Sequence, residues 1–220
     1  MLGSLEGAAI PQRDSMVYLG GLLNADGGSG PELSRRIGMA YKQFHSLCKI
    51  WKHAKIPMIK KVRIFQSCVV SGLMYCLHTL WLNKAELRKL DAFQARCLRK
   101  VAGIAHSFIS RVSNDAVLAH CSCQKLSSQL ACQQLVFLGK VARMPDDSAV
   151  RRCVFAPGSF CLSRLGGRRT RGRPKNKCTR NLLAMACKAA GGEDRLPQIL
   201  QGSAQTWRHA ARNFCSQISV

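Results

Sequence analysis

"PELSRRIGMAYKQFHSLCKIWK", residues 31–52, spaces its apolar residues at helical intervals. Leu33, Ile37, Ala40, Phe44, Leu47 and Trp51 follow one another at alternating steps of four and three, which puts all six on one side of a 3.6-residue helix. Arg35, Arg36, Lys42, Lys49 and Lys52 fall mainly off that stripe, so the helix can bury one side and present positive charge on another. Pro31 suits the first helical position, where an amide N–H would lack a partner in any case.

The flanks extend the helical pattern. Upstream, MVYLGGLL at residues 16–23 reads as one short strand before the turn signal NADGGSG, and a strand needs a partner for its edges. Downstream, Pro57 opens a second expected helix over residues 58–80, with Lys60, Lys61 and Arg63 at its start. Residues 64–83, IFQSCVVSGLMYCLHTLWLN, carry no formal charge over the length of a bilayer span. Gln66, Ser67, Ser71, His78 and Thr79 would be costly in hydrocarbon, so a buried core helix is the better reading and no membrane partner is expected. Asn83 and Glu86 have the spacing of a capping box, and Leu87, Leu90, Phe93, Cys97 and Val101 carry a third helix to Gly103. Shorter helices are expected at residues 114–120 and 126–143, a Gly/Pro/Ser/Arg-rich linker at 156–177, and helices at 178–190 and 203–216 around GGEDRLP. The fold class is mainly α: a helical bundle with one short N-terminal β element, then a basic linker and short C-terminal helices.

Charge narrows the partners. Lys and Arg number 34 against 11 acidic residues, a net +23 that a polyanion would relieve. Between Glu32 and Glu86 there are ten Lys and Arg and no acid, and between Asp147 and Glu193 there are eleven. RNA or DNA is therefore the expected partner, with no small-molecule substrate. The second basic block contains Arg168, Arg169, Arg171, Arg173, Lys175 and Lys177. Its Arg-Gly-Arg-Pro core at 171–174 matches an AT-hook, whose narrow backbone enters the minor groove of A·T-rich DNA. The plainer reading of these residues is a basic linker acting through charge alone.

The twelve cysteines show no Cys-x-x-Cys pair, and MLGSLEGAAIPQR has neither the basic start nor the apolar run of a signal peptide. They read as reduced thiols of an intracellular, nuclear or cytoplasmic protein, and the closest cluster (His120, Cys121, Cys123, Cys132) is too cramped to expect a metal. Asp146-Asp147 follows Pro145 without flanking hydrophobic strands, so it does not look like a metal-holding turn. The six histidines are scattered, and neither a nucleophile elbow nor a phosphate-cradling Gly-rich loop occurs. No catalytic residue and no cofactor are assigned.

The order of features is more specific than any one of them: YLGGLLNADG, PELSRRIGMAYKQFHSLCKIWK, LMYCLHTLWLNKAELRKLDAFQARCLRKVAGI, QLVFLGKVARMPDD and RGRPKNK. Together, over residues 17–214, they resemble the C-terminal thumb and post-thumb region of reverse transcriptases from non-LTR, LINE-type retrotransposons, part of an endonuclease–reverse transcriptase polyprotein. Two positions depart from the pattern: Cys76 stands where relatives carry Gly after the thumb Tyr, and Cys178 lies where many carry Trp. The resemblance implies a palm-end strand and turn in 1–29, a thumb-like helical domain in 30–145, a basic linker in 146–177 and a short helical region in 178–220. It implies that Arg35, Arg36, Lys42, Lys49, Lys52, Lys60, Lys61 and Arg63 grip the template-primer backbone, with the 168–177 cations as a second nucleic-acid-binding stretch. The Mg²⁺-holding carboxylates of such a polymerase belong to a palm, a further expected partner supplied elsewhere, so no enzymatic activity is expected of this chain. The alternative is a domesticated nuclear DNA-binding protein with an AT-hook-like segment.

Overall fold

A computed structural model of the protein describes residues 13–162 and 178–218. These are mainly helical, with a single two-stranded sheet among them. The segment expected as one strand is a hairpin: β1 (Ser15–Tyr18) pairs antiparallel with β2 (Gly21–Asn24), Tyr18 facing Gly21. Leu19 and Gly20 form the two-residue turn with φ of 46° and 81°, the doubly positive conformation that tight hairpins favour. The partner that the strand required is therefore its own continuation.

Helix α1 (Gly30–His53) buries Leu33, Ile37, Ala40, Phe44 and Trp51, with Leu47 partly buried beside them. Beyond Pro57 the chain forms α2 (Met58–Ile64), a π-helical turn at Phe65–Val70 and α3 (Ser71–Met74). In the π turn the Ser71 N–H donates to the Gln66 carbonyl five residues back, and the Ser71 hydroxyl donates to the Ser67 carbonyl. The helix expected to reach residue 80 stops at Met74 because Tyr75 is extended and Cys76 takes a left-handed φ of 61°. A 3₁₀ turn, Leu77–Thr79, follows. Phe65, Val69, Val70, Leu73, Met74 and Leu77 all enter the core, so the apolar face of the uncharged segment is covered by protein while Gln66, Ser67, Ser71 and Thr79 face outward. No helix among the described residues is long and apolar enough to cross a membrane.

Helix α4 (Lys84–Ala102) begins with the expected capping box: the Glu86 N–H donates to Asn83 Oδ1 at 2.9 Å, and the Asn83 N–H donates to Glu86 Oε2 at 2.8 Å. Gly103, at φ 70°, ends it. Then come α5 (Ser107–Ser110), α6 (Asn114–His120, capped by Ser113) and α7 (Leu126–Ala142). Lys125 at the start of α7 offers no acceptor for its first N–H groups, and α4 supplies them instead. The Ser127 N–H and hydroxyl donate to the Asp91 carboxylate at 2.9 and 2.7 Å, and the Leu126 N–H donates to Gln94 Oε1 at 3.0 Å.

Two hydrophobic cores meet along α7. Its first turns place Leu126 and Leu130 with α1, α4, α6 and the 58–82 segment, whereas Leu135, Leu138, Val141 and Ala142 belong to a second core. That core is completed by Phe155 at the end of α8 (Ala149–Val154), α9 (Cys178–Ala190), α10 (Arg195–Gln201) and α11 (Ala204–Ile218). Residues 146–162, the start of the stretch expected as linker, thus carry a helix and a core phenylalanine. Helix α10 occupies ground read only as a connector. Its Pro197 lies in the first turn, where a missing N–H breaks nothing, and Leu196 and Leu200 are buried.

Helices α7 and α11 approach closely because Gly139 has no side chain. Trp207 of α11 fills that space fully buried, and its Nε1–H donates to the Leu135 carbonyl at 2.7 Å. A Cβ on Gly139 would overlap Trp207 Cδ1 and Nε1, which the hydrogen bond holds in place. Gly139→Ala is expected to destabilise the protein by roughly 1–3 kcal/mol, read as a lower Tm in thermal melts. Cys76→Gly is expected to stabilise the protein by up to about 1 kcal/mol, read as a higher Tm, because it relieves a left-handed residue with a Cβ.

Candidate nucleic-acid interface

Arg35, Lys42 and Lys49 stand seven residues apart on α1, on the face opposite its buried stripe, so they are spaced by about 10 Å along the axis. Lys42 and Lys49 are exposed, and Lys52 lies on the last turn of the same helix. On α2, Lys60 and Arg63 are exposed and Lys61 is half-buried. Arg168, Arg169, Arg171, Arg173, Lys175 and Lys177 lie outside the described residues.

Two of the cations expected to meet phosphate are engaged within the protein. Arg36 is only 6% exposed, and Glu32, 1% exposed, accepts from it at 2.7 Å. The same guanidinium donates to the Gly72 carbonyl at 3.2 Å and to the Gly20 carbonyl, and it lies 4.9 Å over the Tyr75 ring. Arg35 donates to both Glu32 oxygens, at 2.7 and 2.9 Å, and to Gly20 O at 2.6 Å. The Leu22 N–H donates to Glu32 at 3.1 Å. Reading the block after Glu32 as devoid of acidic partners overlooked Glu32 itself, three residues from Arg35 and four from Arg36, where helix geometry brings them together. Arg36 therefore docks the hairpin onto α1 and leaves the open surface.

In exchange, the fold brings forward cations that sequence reasoning missed. A cleft of about 400 Å³ opens between α1 and the end of α4, lined by Tyr41, His45, Arg96, Lys100 and His106 over an apolar floor that includes Phe44 and Cys97. Its lining contains no carboxylate. The Arg96 guanidinium lies 5.6 Å over the Tyr41 ring, His45 stacks beside Tyr41 at 6.0 Å, and Phe93 props the ring edge-on at 4.8 Å. Two turns before Arg96 on α4, Lys89 Nζ donates to Ser34 Oγ of α1 at 2.9 Å. Burial pushes the Tyr41 hydroxyl above its ordinary range, so the ring is neutral at physiological pH. The signal was present as Lys89, Arg96 and Lys100 at helical spacings of seven and four in one amphipathic run. Arg99 also reaches this wall, but it is buried and donates to the Ala105 and Val112 carbonyls and to Asn114 Oδ1.

Asp146 accepts from Arg151 at 2.6 Å, and among the described residues no three His, Cys, Asp or Glu side chains gather as a metal site. Comparison with protein-family models, with curated proteins and with solved structures finds no match to this chain.

Burial alone would raise the Glu32 carboxyl, but hydrogen bonds from Arg35, Arg36 and the Leu22 N–H outweigh it and hold the group below its ordinary range. A lowered folded value means that Glu32 stabilises the fold above the unfolded carboxyl's value of about 4.3, and that this contribution is lost as pH falls through the folded value. Glu32→Gln is expected to lower Tm at pH 7 and to flatten the acid limb of Tm plotted against pH. An unchanged acid limb would remove Glu32 from this role.

Proposed function

We propose that this chain binds the sugar-phosphate backbone of RNA or DNA, as the thumb-like part of a LINE-type retrotransposon RNA-directed DNA polymerase, without a catalytic centre of its own. The observation that carries this reading is the α1–α4 cleft, where Arg96 and Lys100 flank Tyr41 and His45 and no carboxylate enters. Cations without acidic neighbours gain most from phosphate, and an aromatic ring set among them offers a face to an unstacked base. Lys42 and Lys49 on the open face of α1 extend the basic surface beyond the cleft.

Two further observations favour the family part of the reading. Cys76, which stands where the resembled family carries Gly, has the left-handed φ of 61° that glycine adopts most readily. The hairpin that would close a palm leaves Met16 and Leu23, directly opposite each other on one face, more than half exposed, a face on which a palm from elsewhere would pack. Asp146, held by Arg151, is not offered to a metal in this reading.

Binding is measured by fluorescence anisotropy with a labelled RNA–DNA duplex and a labelled single strand across a salt series. With about six phosphates neutralised, affinity falls roughly 10³-fold between 50 and 200 mM salt. Arg96→Ala with Lys100→Ala, and separately Lys42→Ala with Lys49→Ala, should each weaken binding and reduce the log–log salt slope by about 0.9 for every phosphate left without its cation. A flat salt response, or double variants that bind like the parent, would contradict the reading. Primer extension with template, dNTPs and Mg²⁺ is expected to show no incorporation.

A further inference from the structure

Twelve cysteines have no assigned role in nucleic-acid binding, and two of them are set apart by where the helices put them. Gly139 and Trp207 fix the register of α7 against α11, and the buried Ala211 keeps the two helices close one turn further on. The helices run antiparallel. Seven residues back from Gly139 on α7 is Cys132, and eight residues on from Trp207 is Cys215, so each lies roughly 10–12 Å along its axis from the point where Gly139 meets Trp207. The two cysteines come together there and share a side-chain hydrogen bond. Both line a cleft of about 380 Å³ that opens to solvent between Gln129, Gln133, Arg212 and Ser216.

We propose that Cys132 and Cys215 form a thiol-oxidation site, in which Cys132 is the attacking sulfur and Cys215 the resolving one, and which takes a small peroxide through this cleft. The Cys132 sulfur attacks one oxygen of hydrogen peroxide, forming an S–O bond and breaking the O–O bond, and the departing hydroxide leaves as water with the thiol proton. Cys215 then attacks the Cys132 sulfur, forming the S–S bond and breaking S–O, and its proton leaves with the hydroxide as a second water. Two thiols lose two electrons and one peroxide becomes two waters, with no other reactant.

The surroundings divide the roles. The hydrogen bond shared with Cys215 draws the Cys132 thiol below its ordinary range, against the opposing effect of burial, and the Arg212 guanidinium at the cleft wall adds to the lowering. Cys215 is 5% exposed, more deeply buried than Cys132, and is shifted up by the shared bond and by its burial, so it reacts second. Cys97 differs: fully buried beside Cys48, its thiol is pushed up to about 12. The product ties the last turns of α11 to α7 and closes a long loop that includes residues 163–177, so the oxidised protein is constrained in its unfolded state as well.

Trypsin cuts after Lys125, Lys140 and Arg212, isolating Cys132 in peptide 126–140 and Cys215 in peptide 213–220, each with a single cysteine. After stoichiometric peroxide on the full chain, mass spectrometry should find these two peptides joined as the dominant cross-link, and Tm should rise by several degrees. In Cys215→Ser the cross-link disappears and Cys132 accumulates as a dimedone-trapped sulfenic acid, whereas in Cys132→Ser peptide 213–220 stays unmodified. Should either variant fold poorly, iodoacetamide labelling of the parent chain decides, with 126–140 expected to label well before 213–220. Cross-links that join other cysteines instead, an unmodified Cys132 in Cys215→Ser, or equal labelling of the two peptides would overturn the proposal.

Discussion

A buried guanidinium must find acceptors for its five N–H donors, and a chain with 34 cations and 11 acids cannot supply carboxylates for each. Here backbone carbonyls do much of that work. Arg36, Arg99 and Arg151 are each 5–6% exposed, and each reaches carbonyl oxygens in segments distant from its own helix turn. Arg36 takes Gly20 and Gly72, which docks the hairpin across α1 and α3. Arg99 takes Ala105 and Val112, which folds the connection after α4 against that helix. Arg151 takes Ala142 and Ser159 and lies over Phe155 and Phe160, which fastens the segment following α7 to the second core. A lysine has a single charged head and could not span such pairs of acceptors.

These clamps sort the positive charge. Cations that satisfy loops lie inside, whereas Arg96 and Lys100 stay exposed in the α1–α4 cleft, whose lining holds no carboxylate, and Lys42 and Lys49 stand exposed on the open face of α1. Counting basic residues along the sequence merges the two sets. The distinction matters for function, because an exposed lysine contributes counterion release on meeting a phosphate whereas a buried arginine contributes only the shape of the surface on which that lysine stands. Glu32 is what separates Arg35 and Arg36 from the rest of α1: one acidic residue withdraws two cations from the outer face.

The legible parts of the fold were those fixed by local periodicity. The α1 stripe, the Asn83–Glu86 capping box, the Gly103 stop and the helices at 114–120 and 178–190 could be read because each depends on residues within a turn or two. What escaped was set by distant partners. The turn at Leu19-Gly20 looked like strand because a leucine with positive φ carries no sequence signal of its own. The break at Cys76 lay inside an apolar run whose periodicity continues through it. The cap of α7 comes from Asp91 and Gln94, more than thirty residues earlier, so nothing near Lys125 announces it. For the candidate interface, the α1 cations were found from the same stripe that defined the helix. Their sorting into clamps and surface charges, and the cleft that Arg96 and Lys100 share with Tyr41, required the packing of α4 against α1.

Helix α7 decides whether the two cores behave as one. Its first half completes the core of α1 and α4, its second half lies under α11, and the polar side chain between them is also committed: Gln134, buried, donates to the Leu80 carbonyl at 2.7 Å. Phe137 meets His78 edge-on at 5.2 Å from the same helix, so the 77–82 turn of the first core is tied to the middle of α7 from two sides. Opening either core would strip one half of this helix of its apolar neighbours, and an isolated helix of 17 residues is marginal in water. Unfolding of one core therefore weakens the other through a shared element.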